Sequence, residues 1–381
     1  MTHEENEETR AVVQAVRKFA ESELAPHAIA WDRDKHFPVD VLKRAGEIGL
    51  GGIWIAEDVG GSGLTRLDGV RIFEELAHGD PSIAAYLSIH NMVTSMIDRF
   101  GTPAQRERWI PPLAALDHLG SYCLTEPDAG SDAAALRTSA RKVEGGYVLD
   151  GAKQFISGAG TSDVYVVMAR TSDDGAKGVS SFIVEKGAEG LSFGANEDKM
   201  GWNAQPTRQV VFDGVFVPED QRLGEEGRGF AIAMSGLDGG RINIAACSLG
   251  GARFAFVTAL AHLRTREAFG TPLIEQPTVQ FRLADMETGL QASRSLLHDA
   301  AAALDAGRPE ATKLCAMAKR FVTDTCFGVA NDALQLHGGY GYLREYGLEK
   351  VVRDLRVHQI LEGTNEIMRL VVGRALVREV A

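Results

Sequence analysis

The sequence is short of cysteine, aromatic residues, positive charge and long apolar runs. Its four cysteines, Cys123, Cys247, Cys315 and Cys326, lack CxxC spacing and sit in apolar or Ala-rich stretches. That excludes a disulfide framework and reads as reduced, buried thiols. The ten His residues are scattered without ligand spacing, so no metal site is expected. Aromatics are only 7%. Lys and Arg number 40 against 52 Asp and Glu, a formal net charge of −12. Such a chain is a poor nucleic-acid or polyphosphate binder unless its basic residues cluster. Glu4, Glu5, Glu7 and Glu8 read as a solvated acidic tail. No apolar run reaches the ~18 residues of a membrane span. No basic segment precedes an apolar core, so no signal peptide is expected. GxGxxG after a strand, a Walker A loop, HExxH and GxSxG are also missing, which removes the Rossmann, P-loop, zinc-protease and α/β-hydrolase readings.

What is present is 381 residues with 42 Gly, enough for two or three domains. Residues 1–118 read as helices. Val12, Val16, Phe19, Ala20 and Leu24 recur at helical spacing until Pro26, and Pro38 opens a second helix that stops near Gly49. Leu67–His78 is a third. Asp80-Pro81 caps a helix to Arg99. Thr102–Gln105 is a capping box, and Pro111-Pro112 should close the region. Residues 119–228 switch to short β-rich runs: Tyr147–Asp150, Val164–Ala169, Ser181–Val184, Gln209–Phe212 and Val215–Val217. Asp213-Gly214 between the last two predicts a hairpin, and the segment a barrel or sandwich. Residues 229–381 predict four long helices, Arg241–Thr265, Val279–Ala306, Glu310–Leu336 and Asn365–Val380, packed as a bundle. The fold class is α+β: helical domain, β domain, four-helix bundle.

Six segments could carry chemistry, and each has a plain structural alternative. Tyr122–Asp132 is a polar interdomain turn or a cradle of backbone N–H groups and hydroxyls for phosphate or a polar ring edge. Lys153–Gly160 is a strand ending in a Gly turn, or the flank of a flat cofactor. Asp238-Gly239-Gly240-Arg241 is a salt bridge near a helix start, or an Arg organising a carboxylate or substrate. Arg264–Gly270 is a solvated helix end or an Arg fork for phosphate. Gln335–Tyr342 has more glycines than a helix cap needs, which lets a backbone approach a ligand. In Leu361–Glu366, Thr364 fits an N-cap. Glu362 is either an acid complementing that helix or a general base projecting into a cleft.

Taken together and in this order, beginning from Ile55–Gly63, these segments resemble the acyl-CoA dehydrogenase family over nearly the whole chain. The resemblance implies FAD at a subunit interface, usually in a homotetramer. It implies α,β-dehydrogenation of an acyl-CoA, with an electron-transfer flavoprotein as acceptor. Gly201–Arg208, Gly239–Ala245 and His358–Gly363 resemble members acting on short branched chains. Trp202-Asn203 and Leu361 depart from straight-chain members. The implied reaction is isobutyryl-CoA to methacrylyl-CoA, as in valine breakdown, with 2-methylbutyryl- and butyryl-CoA as alternatives. A flavin oxidase and a nucleic-acid-binding flavoprotein are the remote ones.

Carried over, Glu362 is the base. Some members hold the base one position before the Arg of the earlier helix; here that residue is Gly240, which cannot act. Tyr122, Leu124, Thr125, Gly130 and Ser131 should line flavin and substrate, with Ser131 at the thioester. Phe155, Ile156 and Ser157 should pack on the isoalloxazine ring. Arg266, Phe269, Gln276, Gln335, Leu336, His337, Gly338 and Gly339 should hold FAD, in part on a neighbouring subunit. Thr364, Asn365 and Glu366 should touch FAD near the base, and Asp238, Arg241 and Arg374 the substrate. Pro277 stands where relatives often have Gln, with Gln276 able to compensate. Asp128 replaces a frequent Gly and should point away from phosphates. No nucleic acid and no membrane are expected as partners. A bacterial cytoplasm is the expected location, with a mature mitochondrial form the alternative.

Overall fold

The computed structural model describes residues 7–379. Six helices come first: α1 (Glu7–Phe19), α2 (Ala28–Asp34), α3 (Val39–Glu47), α4 (Arg66–Gly79), α5 (Pro81–Phe100) and α6 (Pro103–Ala114). Their local signals work as chemistry requires. The Asp80 carboxylate accepts the N–H groups of Ser82 and Ile83, and Thr102 and Gln105 bond reciprocally in a capping box. Glu7 and Glu8 form the acidic first turn of α1 rather than a tail, where they complement the helix dipole. Glu4 and Glu5 lie outside the described residues. α1 runs into a π-turn over Ala20–Leu24, and α2 follows where the apolar spacing gave no sign of a helix. Pro111 and Pro112 do not close α6 but lie inside it. Two missing N–H donors near the end of a helix are tolerated because Trp109, Ile110 and Leu113 anchor its inner face in a core.

The β region has eight strands. They are β1 (Gly120–Cys123), β2 (Ser139–Val143), β3 (Gly146–Ser157), β4 (Val164–Arg170), β5 (Val179–Glu185), β6 (Leu191–Phe193), β7 (Thr207–Pro218) and β8 (Arg222–Leu223). The sheet order is β6-β7-β3-β2-β4-β5-β8, with β1 parallel to β4. Strand β4 is buried on both sides. Tyr165, Val167 and Ala169 point into the core of the β domain. Val164, Val166 and Met168 point at Met92, Val93, Met96 and Ile97 of α5. Each such side chain contributes about 1.5–3 kcal/mol by leaving water, so β4 ties the β domain to the first helical domain.

The hairpin expected at Asp213-Gly214 is absent; β7 runs straight through it. Gly214, at φ 66°, occupies a bulge opposite Asp150 and donates its N–H to the Asp150 carboxylate. The positive φ that Asp-Gly favours is used, but to kink one strand rather than to reverse the chain.

The chain ends in α7 (Gly229–Thr265), a short pair β9 (Glu267–Ala268) and β10 (Thr271–Pro272), then α8 (Pro277–Asp305), α9 (Ala311–Leu336), α10 (Leu348–Arg356) and α11 (Asn365–Glu379). α7 starts twelve residues before the expected Arg241, so Asp238–Arg241 lies within a helix and not at its start. Its 37 residues are long and apolar enough for a membrane span, against expectation, because Ala, Ile, Leu and Phe raise its hydropathy. Yet 67% of the apolar window is buried inside the protein, packed on α4, α5 and α9. α7 is a core helix, and it forms one wall of the site.

Candidate active site

Glu362 sits on the turn between α10 and α11 with φ 55°, and Gly363 follows at φ 85°. Left-handed backbone at a glutamate costs about 1–2 kcal/mol, so the surroundings must hold it. Lys319, in the middle of α9, does so. Its ammonium donates to the Gly363 carbonyl and the Asn365 side-chain oxygen, both at 2.8 Å. Asn365 also donates to Thr323 and Asp324, and Thr364 caps α11 by accepting the Ile367 N–H.

This turn lays the Glu362 side chain across Gly240 of α7. A Cβ on Gly240 would lie 2.5 Å from Glu362 Oε2, so any larger residue would displace the carboxylate. Oε2 is buried and, among the described residues, has no hydrogen-bond partner. Burial lifts the carboxyl to about 7, against the opposing pull of Arg241 and Lys319. The same burial lowers Lys319 to about 8. The Tyr122 hydroxyl is likewise buried without a partner. Burial, with the Glu362 charge second, raises it well above the usual phenol range. Arg241 is held by Asp238 at 2.6 Å, and Asp238 by Thr312 at 2.6 Å. The result is a dry pocket with an unsatisfied carboxylate that titrates near neutrality, which suits proton abstraction.

Next to Glu362, Leu361 packs with Ile89 and Val357 on a small apolar cluster of Trp202, Ala85 and Ile244. Trp202 also has a left-handed backbone, φ 55°, and is pinned from three sides. Its N–H donates to Asp354, its indole donates to His358 Nε2, and His358 Nδ1 meets Ser248 at 2.7 Å. Burial keeps His358 neutral, at about 3.

The Tyr122–Asp132 loop is fastened from behind. Buried Lys153 of β3 bonds Glu126 at 2.7 Å, and Glu126 accepts the N–H groups of Arg137 and Thr138. Gln154 donates its N–H to the Thr125 carbonyl, which leaves β3 bulged against β7. Phe155 is thrown outward by that bulge, at φ 59° and 64% exposed. Beside it Gly130, Ser131 and Asp128 are exposed, and Ser157 is half-buried. A buried orphan hydroxyl and a strained, exposed aromatic are what a flat, polar-edged cofactor would use.

The other expected site residues are spread more widely. The side chains of Leu124 and Ile156 lie in hydrophobic cores, because strand alternation points them inward; only their backbones can face a ligand. Asn365 is buried by its bonds to α9. His337 is buried and stacks on His262 at 4.3 Å. Leu336 packs on the main core. Gln276 precedes α8 and bonds Thr271, and Pro277 takes the first helical position. Arg266, near the ring of Tyr340, Phe269, 97% exposed, and exposed Gln335, Gly338 and Gly339 form a second group. Sixteen residues of α9 separate Gln335 from Lys319, about 24 Å of helix. One chain therefore does not bring this group to Glu362. Glu366 and Arg374 are exposed on α11. Among the described residues no cluster could hold a metal ion.

Lys319, Trp202 and His358 escaped the sequence reading as site residues. Lys319 carried a usable signal: it lies with Cys315, Val322 and Cys326 on the buried face of α9, where a lysine must have a partner.

Residues 6–117, 121–215 and 227–377 match the N-terminal, middle and C-terminal domains of acyl-CoA dehydrogenases. The chain is 52% identical to the mitochondrial isobutyryl-CoA dehydrogenase of Bos taurus, over 98% of this chain and 90% of that one. It is 51% identical to the Dictyostelium discoideum enzyme of the same name, over 95% and 87%. The butyryl-CoA dehydrogenase structure from Megasphaera elsdenii superposes with a TM-score of 0.96 at 38% identity, covering 99% of this chain and all of that one.

Proposed function

The chain belongs to the acyl-CoA dehydrogenase family, and from that premise we propose that it oxidises isobutyryl-CoA to methacrylyl-CoA with Glu362 as the base. The observation that carries this reading is the buried Glu362 Oε2, without a hydrogen-bond partner among the described residues and pressed on Gly240. Glu362 takes the α-proton of the acyl group. A carbon acid beside a thioester is far too weak for a carboxylate in water, so the thioester oxygen must be hydrogen-bonded as charge develops on it. The Glu362 N–H, which bonds no carbonyl among the described residues, would do this. Tyr122 and the packed pocket exclude water, which strengthens that bond and keeps the base unsolvated. FAD, when bound, supplies the two-electron acceptor for the β-hydrogen.

The isobutyryl group is short and branched. The apolar cluster of Trp202 and Ile244 that Leu361 joins beside Glu362 suits it, and the similarity to two enzymes of that name agrees. One methylene is worth only about 1–3 kcal/mol of discrimination, so 2-methylbutyryl- and butyryl-CoA are the substrates to compare. Phe155, Ser157 and the Tyr122–Ser131 loop would lie against the flavin ring. Arg266, Phe269 and the exposed Gln335–Gly339 segment would hold FAD of a neighbouring chain, in a homotetramer. Arg374 would meet the CoA moiety, and an electron-transfer flavoprotein would take the electrons. A mitochondrial matrix and a bacterial cytoplasm both fit.

The test is anaerobic mixing of the FAD-loaded protein with an acyl-CoA panel while following the flavin absorbance. Isobutyryl-CoA should bleach it fastest; faster bleaching by butyryl-CoA would defeat the substrate reading. Glu362→Gln should stay yellow and unbleached, and substantial residual turnover would remove Glu362 from its role.

A further inference from the structure

We propose that Trp202 and His358 are positioning residues for Glu362, a clamp that holds the segment leading into the base as Lys319 holds the segment leaving it. The inference rests on the acyl-CoA dehydrogenase reading with Glu362 as base, and adds two residues that act through it. Lys319 fastens the Gly363 carbonyl and the Asn365 side chain. Before the base comes a short turn. The Val357 carbonyl accepts the N–H groups of Ile360 and Leu361, so residues 357–361 form one piece. Trp202 holds that piece at two places. Its indole N–H donates to His358 Nε2 at 3.2 Å, and its apolar cluster packs Val357 and Leu361.

Trp202 can serve as a fixed point because its own backbone is anchored. Left-handed backbone at a tryptophan, φ 55°, persists only where the surroundings over-determine it. The Trp202 N–H donates to Asp354 at 2.6 Å. Asp354 is held by Lys350 at 2.7 Å, and Lys350 also by Asp80 at 3.1 Å. All three charged side chains are buried. Gly201 lets the loop come this near α10: a Cβ there would lie 2.5 Å from the Arg353 carbonyl oxygen. His358 is fully buried, and its two partners fix its tautomer. An indole can only donate, so Nε2 accepts. Ser248 Oγ gives its hydrogen to the Ile244 carbonyl, so Nδ1–H donates to Ser248 at 2.7 Å. A second proton would set a His358 N–H against the indole N–H. Burial, with the Lys319 charge behind it, keeps that proton off. Ser248 and Gly240 both belong to α7. The clamp thus ties the base turn to the helix that the Glu362 carboxylate lies against. Without it the left-handed Glu362 can relax, lift its carboxylate off Gly240 and hydrate it.

The test uses FAD-loaded His358→Leu, Trp202→Phe and His358→Gln. The first removes both bonds of the imidazole, the second only the indole donor, and the third keeps an acceptor for that donor. The charged and titratable groups facing the carboxyl, Arg241, Lys319 and Tyr122, stay in place. With isobutyryl-CoA, His358→Leu and Trp202→Phe should lose about tenfold or more in kcat, as expected of a misplaced base. KM should stay within about threefold of wild type. The acid limb of kcat/KM should move from about 7 toward the ordinary 4.5, as water reaches the carboxyl. His358→Gln should restore most of both; if it restores neither, the hydrogen bond does not position the base and the proposal falls. Thermal melts give a readout apart from turnover. Glu362→Gln should raise the Tm of wild type more at about pH 8 than at about pH 5, and with His358→Leu also present that extra rise should shrink by about half or more. A limb and a melt difference that keep wild-type values in His358→Leu and Trp202→Phe overturn the proposal, whatever stability is lost. Where His358→Leu does not fold, Trp202→Phe decides alone. If wild type bleaches with no acyl-CoA, the functional reading fails on its own, while the melts still decide this one.

Discussion

Gly240 and Glu362 act as a single unit: the helix must lack a side chain so that the carboxylate can lie dry against it. Gly240→Ala should fold, because alanine favours a helix by about 1 kcal/mol over glycine. It should nevertheless lose at least tenfold in kcat/KM, since its methyl would occupy the space of Oε2; wild-type kinetics would refute this. The carboxyl near 7 also fixes a pH profile. The base works deprotonated, so kcat/KM for the free enzyme should rise with pH and level off above about 7. Removing the Lys319 charge, by Lys319→Met, should move that limb to higher pH, since the ammonium favours the ionised form. Stability runs the other way. An acid raised above its unfolded value of 4.5 binds its proton more tightly when folded. The folded state therefore loses stability as pH rises from about 4.5 through 7. Thermal melts should show Glu362→Gln gaining on wild type between pH 5 and pH 8, by the order of 2 kcal/mol after screening.

The elements that the sequence announces are those whose signals are local. Asp80, Thr102 and Thr364 cap the helices they were expected to cap, because a cap is a contact over three residues. The long helices of the C-terminal bundle follow from apolar spacing. Asp213-Gly214 shows where local reading stops. It specifies a left-handed glycine, and only the pairing of β7 with β3 turns that into a bulge. Gly214→Val should therefore cost about 1–2 kcal/mol in urea unfolding, with kinetics untouched, since the bulge is remote from Glu362. The start of α7 was hidden for a similar reason. Gly239-Gly240 read as the approach to a helix start, yet here the glycines lie inside the helix and serve the neighbours that press on it. The Glu362 turn was legible from its motif. Its supports, Lys319 on α9 and the Trp202–His358 pair, come from parts of the chain that only the fold unites.

For the whole molecule, the exposed group of expected FAD residues around Arg266 and Gln335 is set apart from the Glu362 turn: Gln335 lies about 24 Å along α9 from Lys319, which holds that turn. If assembly joins them, Phe269→Glu at the 97% exposed position should shift sedimentation toward smaller species and weaken FAD retention at least tenfold together. Loss of one without the other would separate assembly from cofactor binding. The buried cysteines offer a further use. Cys123 and Cys315 are pushed up to about 12 by burial, and Cys247 and Cys326 are raised as well. A disulfide-exchange dye should thus stay colourless with the native protein. Cys123 lies in the β domain's core and the other three in the helical core. Labelling during slow heating would report which of the two opens first, so the thiols serve as built-in clocks for unfolding.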